Sequence, residues 1–343
     1  MRKEKEITIY DIARQLNLSP ATISRALKDH PAINKHTKKK IADLAAKLGY
    51  RSNNFASNLR QQKTNTIGVM VHELRSQFMT SVLAGIEKVT TEANYDLIIA
   101  HSSESAEKEA ANALNLFHKR VDGVIASLSF DTENLQHFDA FHKKGIPVIF
   151  FDRVFEDADS AKVIINNRKA GYDATSHLID QGCKRIAHIT ANLKRNVYAE
   201  RLKGYQQALA EHGIKFYEKY LIVDDLSEEG SIHSARKILA MKPMPDGIFI
   251  TNDFCAAVCI QTLKEAGIRI PDDIAIVGFN NDAVSKIIDP KLSTINYPGQ
   301  EIGEIVARNL INHLQGNTNM QMTNTIIVRS ELIIRASSLK KKK

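Results

Sequence analysis

The sequence predicts a two-part fold: a small all-α helix-turn-helix domain, and a larger α/β domain of two doubly wound parallel-sheet subdomains. Two observations predict this division. Three short amphipathic helices can be traced within the first fifty residues, and from Ile67 onward apolar strand-like runs alternate with helix-like segments. Such alternation is typical of parallel sheets that helices cover on both faces.

Composition narrows the class of protein. The chain has 343 residues, no apolar run of membrane-spanning length, and a charged start without the apolar core of a signal peptide. Its three cysteines (Cys183, Cys255 and Cys259) form no disulfide framework and lack the partners of a metal site. We therefore expect a cytoplasmic protein with buried cysteines, no membrane association, no metal and no cofactor.

Positive charge is concentrated near the N-terminus. Residues 1–63 carry 14 Lys and Arg against 5 Asp and Glu, a net charge of +9, whereas the remaining residues have a net charge of −1. A basic module joined to a nearly neutral one favours an anionic polymer as the partner of the first sixty residues.

The first two helices have clear start signals. Thr8 is a suitable N-cap, and Asp11 three residues later completes a capping box. The apolar residues that follow at helical spacing are Ile9, Ile12, Ala13 and Leu16. Ser19 caps the second helix, and Pro20 occupies its first position, where a missing N–H costs nothing.

The second and third helices each have an apolar side. In the second, that side carries Ile23, Ala26 and Leu27. The opposite side carries Ala21, Ser24, Arg25 and Lys28. Asn34 or Thr37 caps the third helix, and Gly49 ends it. Its inward residues are Ile41, Leu44, Ala45 and Leu48. Three such helices with a tight first turn form a helix-turn-helix, whose second helix fits a major groove.

The segment TIYDIARQLNLSPATISRALKDHPAINKHTKKKIADLAAKLGYRSNN resembles the DNA-binding domain of the LacI/GalR family of bacterial repressors. The family pattern T-x-x-D-[IV]-A…S-x-x-T-[VI]-S-R-x-L is matched almost throughout, and the resemblance extends over some forty residues. It implies a nucleoid-associated bacterial regulator whose partner is double-stranded operator DNA.

The resemblance also implies roles for individual residues. Pro20, Ala21 and Arg25 would read the base sequence, because Arg25 can fork onto guanine O6 and N7 while Ala21 touches a thymine methyl group. Thr22, Ser24, Asn34 and Tyr50 would hydrogen-bond phosphates. The complete predicted DNA-binding set is Tyr10, Ser19, Pro20, Ala21, Thr22, Ser24, Arg25, Asn34, Tyr50, Asn53, Ala56 and Leu59.

By the same resemblance, a hinge that folds as a helix only on operator DNA follows the helix-turn-helix. Ala56 would make a close contact across a dimer, and Leu59 would be the wedge pushed between bases in the minor groove. Ser52 stands where the family usually has proline, which loosens the entry to the hinge.

The large module contains nine strand-like runs in two series. The first series is TIGVMV, YDLIIA, VDGVIAS and IPVIFF, and the second is KVIIN, RIAHIT, YLIVD, GIFIT and AIVGF. The family resemblance continues here through GIE, VDGVI, IPVIFFDR, RLKGYQQAL, TND, PDDIAIVGFNN and LSTI, in family order. It implies a periplasmic-binding-protein-like domain that binds an effector and forms a homodimer.

These patterns give the expected domain boundaries. The domains are a helix-turn-helix (1–52), a hinge and linker (53–65), an effector-binding and dimerisation domain (66–337) and a basic tail (338–343). Within the effector domain, the N-subdomain is about 66–165 and 296–325, and the C-subdomain is about 166–293 and 326–337.

Ligands of open parallel sheets bind beyond the carboxyl ends of the strands. Polar side chains there can pair with sugar hydroxyls, and an aromatic ring such as Phe78 or Tyr198 can cover the apolar face of a sugar. The predicted effector-binding residues are Phe78, Ser102, Ser127, Asp152, Arg153, Tyr198, Arg201, Asn252 and Asn280. By resemblance, Arg201, Asn252 and Asn280 occupy effector-contact positions. Asn280 replaces the usual Asp, so the ligand either lacks a donor for that Asp or carries negative charge.

The sequence therefore predicts a ligand-responsive transcriptional regulator, a repressor that binds a palindromic operator as a dimer. A sugar or sugar derivative is the expected effector. A corepressor-dependent regulator that responds to a purine or other metabolite stays an alternative, and so does a cytoplasmic sugar-binding protein or an enzyme. An enzyme is not expected, because the sequence has no dinucleotide-binding, P-loop, nucleophile-elbow or zinc-protease motif.

Overall fold

The computed structural model describes residues 7–50, 63–155, 160–320 and 325–340. The chain forms two compact units, Met1–Thr64 and Asn65–Lys343. No helix of the described residues is long and apolar enough to cross a membrane.

The first unit is a three-helix domain. Its helices are α1 (Ile9–Leu16), α2 (Pro20–Leu27) and α3 (Lys35–Lys47). Two residues from each helix form the buried core: Ile12, Ala13, Ile23, Ala26, Ile41 and Ala45. Leu27 was expected on the inward side of α2 but is 37% exposed, because it is the last residue of that helix.

The caps follow the sequence signals. Thr8 donates its backbone N–H and its hydroxyl to Asp11 Oδ2, at 2.9 and 2.6 Å. Ser19 Oγ accepts an N–H from the first turn of α2 at 3.1 Å. Of the two candidates for the third cap, Asn34 is the one used, since its Oδ1 accepts the Thr37 N–H at 2.8 Å. These bonds satisfy N–H groups that have no partner within the helix.

The second unit is an α/β domain. Its strands are β1 (Thr66–Val71), β2 (Asp96–His101), β3 (Gly123–Ala126), β4 (Val148–Phe151), β5 (Lys162–Ile165), β6 (Ile186–Thr190), β7 (Leu221–Val223), β8 (Gly247–Ile250), β9 (Ala275–Asn280), β10 (Ser293–Asn296), β11 (Thr325–Val328) and β12 (Glu331–Ile333). Its helices are α4 (Gln77–Glu92), α5 (Ala106–His118), α6 (Asp139–Lys143), α7 (Asn167–Asp180), α8 (Asn196–Glu211), α9 (Glu228–Ala240), α10 (Asp253–Glu265), α11 (Val284–Ile287) and α12 (Gly299–Leu314). Two short 3₁₀ helices span Gln136–Phe138 and Glu218–Tyr220.

The strands form two six-stranded sheets. The first has the order β11-β5-β4-β3-β1-β2 and the second β12-β10-β9-β8-β6-β7. Every strand pair is parallel except β10 with β12, which is antiparallel. The predicted doubly wound parallel sheets are confirmed. We call the part built on the first sheet the N-subdomain and the part built on the second the C-subdomain.

The chain crosses between the subdomains three times. It leaves the N-subdomain after β5, returns after β10 and leaves again between β11 and β12. The third crossing falls after Val328, three residues later than the expected boundary at 325/326. The reason is that β11 pairs with β5 along its whole length, from Thr325 to Val328.

Each subdomain has one pair of helices in very close contact. In the N-subdomain, Gly85 of α4 and Gly303 of α12 each face the other helix, and in the C-subdomain Gly171 of α7 and Gly204 of α8 do the same. A Cβ atom at any of these four glycines would lie 2.0–2.3 Å from a backbone carbonyl oxygen of the facing helix. Only glycine permits this approach of two backbones.

Candidate functional site

One face of α2 is available for contact with another molecule. Ala21 and Arg25 are exposed on it, and Thr22 and Ser24 are partly exposed. Tyr10 of α1 is 63% exposed, an unusual position for a tyrosine with no other role. The predicted base-reading residues therefore share one accessible surface of the first unit.

Two other predicted DNA-binding residues are already used in the fold. Asn34 is exposed, and because its Oδ1 caps α3, only its amide N–H groups remain to donate to a phosphate. Tyr50 packs against the three-helix core. The hinge residues Asn53, Ala56 and Leu59, and Ser52 before them, lie outside the described residues.

In the second unit, the carboxyl ends of the two sheets face each other across a cleft. Asn196 at the start of α8 donates from Nδ2 to the Asp152 carbonyl at 3.1 Å and accepts the Val154 N–H at 3.0 Å. Arg195 donates from Nη2 to the carbonyl of Thr132 at 2.5 Å. The loop between β6 and α8 of the C-subdomain thus bonds to the strand-end loops of the N-subdomain.

Arg153 is the most connected side chain of the cleft. Its Nη1 donates to both carboxylate oxygens of Glu104 at 2.8 Å, and its Nη2 donates to the Tyr198 hydroxyl at 3.3 Å. Its guanidinium lies 4.0 Å from the centre of the Phe130 ring. Burial by itself would lower the pKa of Arg153, but Tyr198, Glu104 and Asp152 outweigh burial and raise it.

Asp152 connects the residues around Arg153 to the segment after β10, where the chain returns to the N-subdomain. It accepts the Tyr297 hydroxyl at 2.7 Å and the Ser127 hydroxyl at 3.4 Å. Burial raises the pKa of Asp152, and the positive charge of Arg153 offsets only part of that rise. Phe78 stacks on the Tyr297 ring at 4.0 Å between ring centres, so the predicted aromatic residue is in place.

Arg201 lies on the C-subdomain wall of the cleft. It is 3% exposed, donates from Nε to Asn167 Oδ1 at 2.9 Å and from Nη1 to the Thr251 carbonyl at 3.3 Å. The guanidinium lies 3.5 Å from the centre of the Phe279 ring. Burial lowers the pKa of Arg201. The Tyr198 ring, 5.7 Å away, links it to the Arg153 cluster.

Three predicted effector residues have other partners in the structure. Ser102 bonds to Ser129 at 2.6 Å within the N-subdomain. Asn252 is the N-cap of α10. Asn280 has a φ of +114° and donates to Asp282 Oδ2 at 3.3 Å. Of the three, Asn280 is the one that lines a pocket with Phe78.

That pocket has a volume of about 440 Å³ and lies beside the second chain crossing. The N-termini of α4 and α12 and the loop after β9 surround it, and Phe78 and Tyr297 form its inner wall. Its polar lining includes the carboxylates of Asp282, Glu301 and Glu304. The cleft therefore has an acidic pocket on one side of the aromatic pair and buried arginines on the other.

Asp253 forms a second buried acidic group close to the pocket. It is fully buried at the start of α10, where its oxygens accept the Thr294 hydroxyl at 2.7 Å and the Asp282 N–H at 2.8 Å. Burial, with a smaller effect of neighbouring Asp282, raises the pKa of Asp253 to about 8. Burial also raises the pKa of Asp282, to about 6.

Several residues of the cleft are absent from the predicted set, among them Glu104, Arg195 and Tyr297. Glu104 comes three residues after β2, and Arg195 comes five residues after β6. Both therefore lie in loops that follow the carboxyl ends of predicted strands. Extending the strand-end rule along each loop would have found both. Tyr297 directly follows β10, a strand that the apolar pattern did not reveal.

Comparison with known proteins places this architecture in a family. Residues 8–53 match the family described as bacterial regulatory proteins, lacI family, and residues 175–338 match the periplasmic binding protein-like domain. The HTH-type transcriptional regulator RegA of Clostridium saccharobutylicum is 33% identical over 334 residues, 97% of this chain and 99% of that protein. Catabolite control protein A of Priestia megaterium is 31% identical over 313 residues, 91% and 94% of the two chains.

Solved structures share the fold. The lac repressor dimer bound to operator and the anti-inducer ONPF superposes with a TM-score of 0.86 at 22% identity, covering 98% of this chain and 100% of that one. The complex of the transcriptional regulator CelR with cellobiose gives 0.74 at 23% identity, covering 97% and 100%. Matches to regulators over nearly the whole length, and a match to each unit, show that this chain belongs to the lacI family. It is a helix-turn-helix transcriptional regulator with a periplasmic-binding-protein-like effector domain, and not an enzyme.

Proposed function

We propose that this regulator is a repressor that binds a palindromic operator as a homodimer and responds to a sugar or sugar derivative bound in the cleft. The observation that carries the proposal is the network that joins the two subdomains at Asp152 and Arg153, because a ligand entering there changes how the subdomains fit together. Two proteins that share this fold support it: the lac repressor, whose dimer binds operator, and the regulator CelR, which forms a complex with cellobiose.

The DNA part of the proposal rests on α2. Arg25 and Ala21 share its exposed face, and an arginine there can donate two hydrogen bonds to one guanine. Thr22 and Ser24, which are partly exposed, would donate to phosphates. In a dimer, two such helices would enter successive major grooves about one helical turn apart.

The effector part rests on the chemistry of the cleft. The stacked rings of Phe78 and Tyr297 contribute the apolar part of the pocket lining, and carboxylate and amide groups line the rest of it. That combination suits a molecule with one apolar face and several hydroxyls. An effector that parts the Tyr297–Asp152 and Arg153–Tyr198 contacts would shift the population between two arrangements of the subdomains, and operator affinity would change with it.

The test uses the full-length protein and a pool of randomised DNA duplexes. We expect selection to yield one palindromic sequence, and the binding of that sequence to change on addition of a monosaccharide, disaccharide or uronate. Arg25→Ala should weaken binding by about 1–3 kcal/mol and relax the preference at one base of each half-site.

Arg14→Ala is the matched control, since Arg14 is an exposed arginine of α1 outside the base-reading face. It should leave the base preference unchanged. Binding without any sequence preference would contradict the repressor proposal, and so would the same base preference in Arg25→Ala as in the natural protein.

A further inference from the structure

We infer that the effector carries one anionic group, a phosphate or a carboxylate, which replaces Glu104 on Arg153 at the arginine-lined end of the cleft. The inference deepens the proposed function and rests on it in one respect, that the cleft is the effector site. It names the chemistry that the effector must have, and it makes Glu104 an internal competitor of that ligand.

Three arginines are buried in this cleft. Arg153 is 5% exposed, and Arg195 and Arg201 are each 3% exposed. Of these three arginines, only Arg153 forms an ion pair with a described residue, and its partner is Glu104. Asp152 adds a second carboxylate to the interior, but Tyr297 and other hydroxyl donors already bond to it. Glu109, which is 1% exposed, and Asp131 lie near enough to raise the pKa of Arg195, but among the described residues no carboxylate forms an ion pair with Arg195 or Arg201. Two of the three guanidinium groups thus lack a direct anionic partner where water is excluded, which is costly.

Glu104 holds its place on Arg153 in a strained backbone. Its φ is +61° and that of Ser103 is +52°, left-handed values that side chains other than glycine seldom adopt. Its carboxylate is 26% exposed and so can leave toward solvent. Burial raises the pKa of Glu104, which means that the carboxylate is less stable here than in water. A ligand carboxylate or phosphate can bond to the same guanidinium without this strain.

Arg195 has donor capacity that the protein does not use. Its Nε is buried and has no hydrogen-bond partner, although its Nη2 bonds to the Thr132 carbonyl. Burial and then the charge of Arg153 lower the pKa of Arg195, and Glu109, Asp131 and Glu104 offset only part of that decrease. The Thr190 hydroxyl, at the end of the strand before Arg195, is also buried without a partner. An anionic oxygen between these groups would satisfy unused donors and screen the effect of the Arg153 charge.

The other side of the cleft limits the ligand to one anionic end. Asp282, Glu301 and Glu304 line the pocket beyond the Phe78–Tyr297 pair, and although Lys88 pairs with Glu304 at 3.0 Å, the carboxylates of Asp282 and Glu301 would repel a second anionic group. They accept hydrogen bonds from hydroxyls instead. A sugar with a phosphate or carboxylate at one end and free hydroxyls at the other matches both sides, whereas a neutral purine leaves the arginines unpaired.

The experiment measures thermal unfolding of the full-length protein with inorganic phosphate, against chloride at the same ionic strength. We expect phosphate to raise the melting temperature, and Arg195→Gln to abolish at least half of that rise. Arg236→Gln, on the exposed surface of α9, is the matched control and should keep the full rise. Absence of a rise, or an equal loss in both variants, would overturn the inference.

A second measurement compares matched ligands: glucose, glucose 6-phosphate and glucuronate, the corresponding galactose series, and hypoxanthine. An anionic member should bind at least 10-fold more tightly than its neutral parent, and whether phosphate or carboxylate wins identifies the group. Glu104→Gln should raise the ratio of affinities for the anionic member and its neutral parent several-fold, and an unchanged or smaller ratio would contradict the competition between Glu104 and the ligand. Tighter binding of a neutral sugar or of hypoxanthine would refute the anionic effector. Failure to select any operator from the DNA pool would refute the repressor function instead, without touching these ligand results.

Discussion

Arg201 combines two tasks that substitution can separate. Its guanidinium holds Asn167 and the Thr251 carbonyl and lies against Phe279, and it also faces the cleft through the Tyr198 and Tyr297 rings. We expect Arg201→Lys to keep the operator affinity of the natural protein. The change in operator affinity that the effector causes should be at least 10-fold smaller, because lysine keeps the positive charge but lacks the planar guanidinium group.

The measurement is operator binding across an effector titration, with a thermal melt to verify folding. Arg201→Ala should show the same loss more completely if it folds. Loss of operator binding by a folded Arg201→Lys protein would show that this residue serves the DNA site and not the effector site.

Because of the buried carboxyl group of Asp253, we expect the free energy of unfolding to decrease as the pH rises near neutrality. Its pKa is about 8 in the folded protein and near 4 in an unfolded chain, so the folded protein binds more protons between those values. The free energy of unfolding should therefore decrease by about 1–2 kcal/mol from pH 6.5 to 8. Buried histidines such as His188, whose pKa burial lowers to about 3 from about 6.5 in an unfolded chain, act in the opposite direction. Most of their effect falls below pH 6.5, and the part within the window is shared by the Asp253→Asn variant.

Chemical denaturation at several pH values checks the prediction, with Asp253→Asn as the comparison. The amide cannot ionise, so its stability should be nearly level across the same window. Parallel pH slopes in the two proteins would assign the effect to another group.

Sequence reasoning succeeded at residues whose role is local and failed at those whose role depends on the tertiary fold. Asp11 and Ser19 could be assigned because a cap involves residues three positions apart. Asn252 was expected in the effector site, but its Oδ1 caps α10, a use that its position before a helix already indicated. Glu104 was overlooked because its partner Arg153 is 49 residues away and no local pattern connects them.

At the scale of elements, the close helix pairs should be the least tolerant part of the effector domain. In Gly85→Ala the new methyl group would meet the Gln300 carbonyl oxygen at 2.2 Å and force α4 and α12 apart. We expect a loss of about 1–3 kcal/mol in the free energy of unfolding, despite the better helix propensity of alanine.

Urea denaturation measures this change. Glu92→Ala, an exposed substitution on the last turn of α4, is the control and should alter stability by less than about 0.5 kcal/mol. A Gly85→Ala protein as stable as the control variant would show that the two helices can separate without cost.

The elements themselves were unevenly predictable. Nine strands with continuous apolar runs could be read from the sequence, since both of their faces are covered by helices. The remaining three, β10, β11 and β12, have three or four residues each and belong to the last part of the chain. β10 and β12 contain only one and two apolar residues, so neither forms an apolar run, and only their pairing in the fold identifies them.

At the scale of the whole molecule, the uneven charge predicts a strong effect of salt. With roughly 6–10 phosphate contacts, operator affinity should fall by about 10³–10⁵-fold between 50 and 200 mM salt. The effector domain is nearly neutral, so effector affinity measured on the same protein should change much less unless the ligand is anionic. Titrating labelled operator at several salt concentrations tests this, and a flat response would contradict DNA binding by the basic N-terminal module.

The threefold passage of the chain between the sheets also sets the order in which the protein can be completed during synthesis. The N-subdomain has its first five strands by Ile165, but its edge strand β11 and the helix that packs on Gly85 come only with residues 299–328. At about 5–20 residues per second, a ribosome needs roughly ten to thirty seconds to supply them. Throughout that interval the uncovered edge of β5 and the bare face of α4 are exposed to other chains. The C-subdomain, emerging meanwhile, has most of its sheet before the N-subdomain is whole.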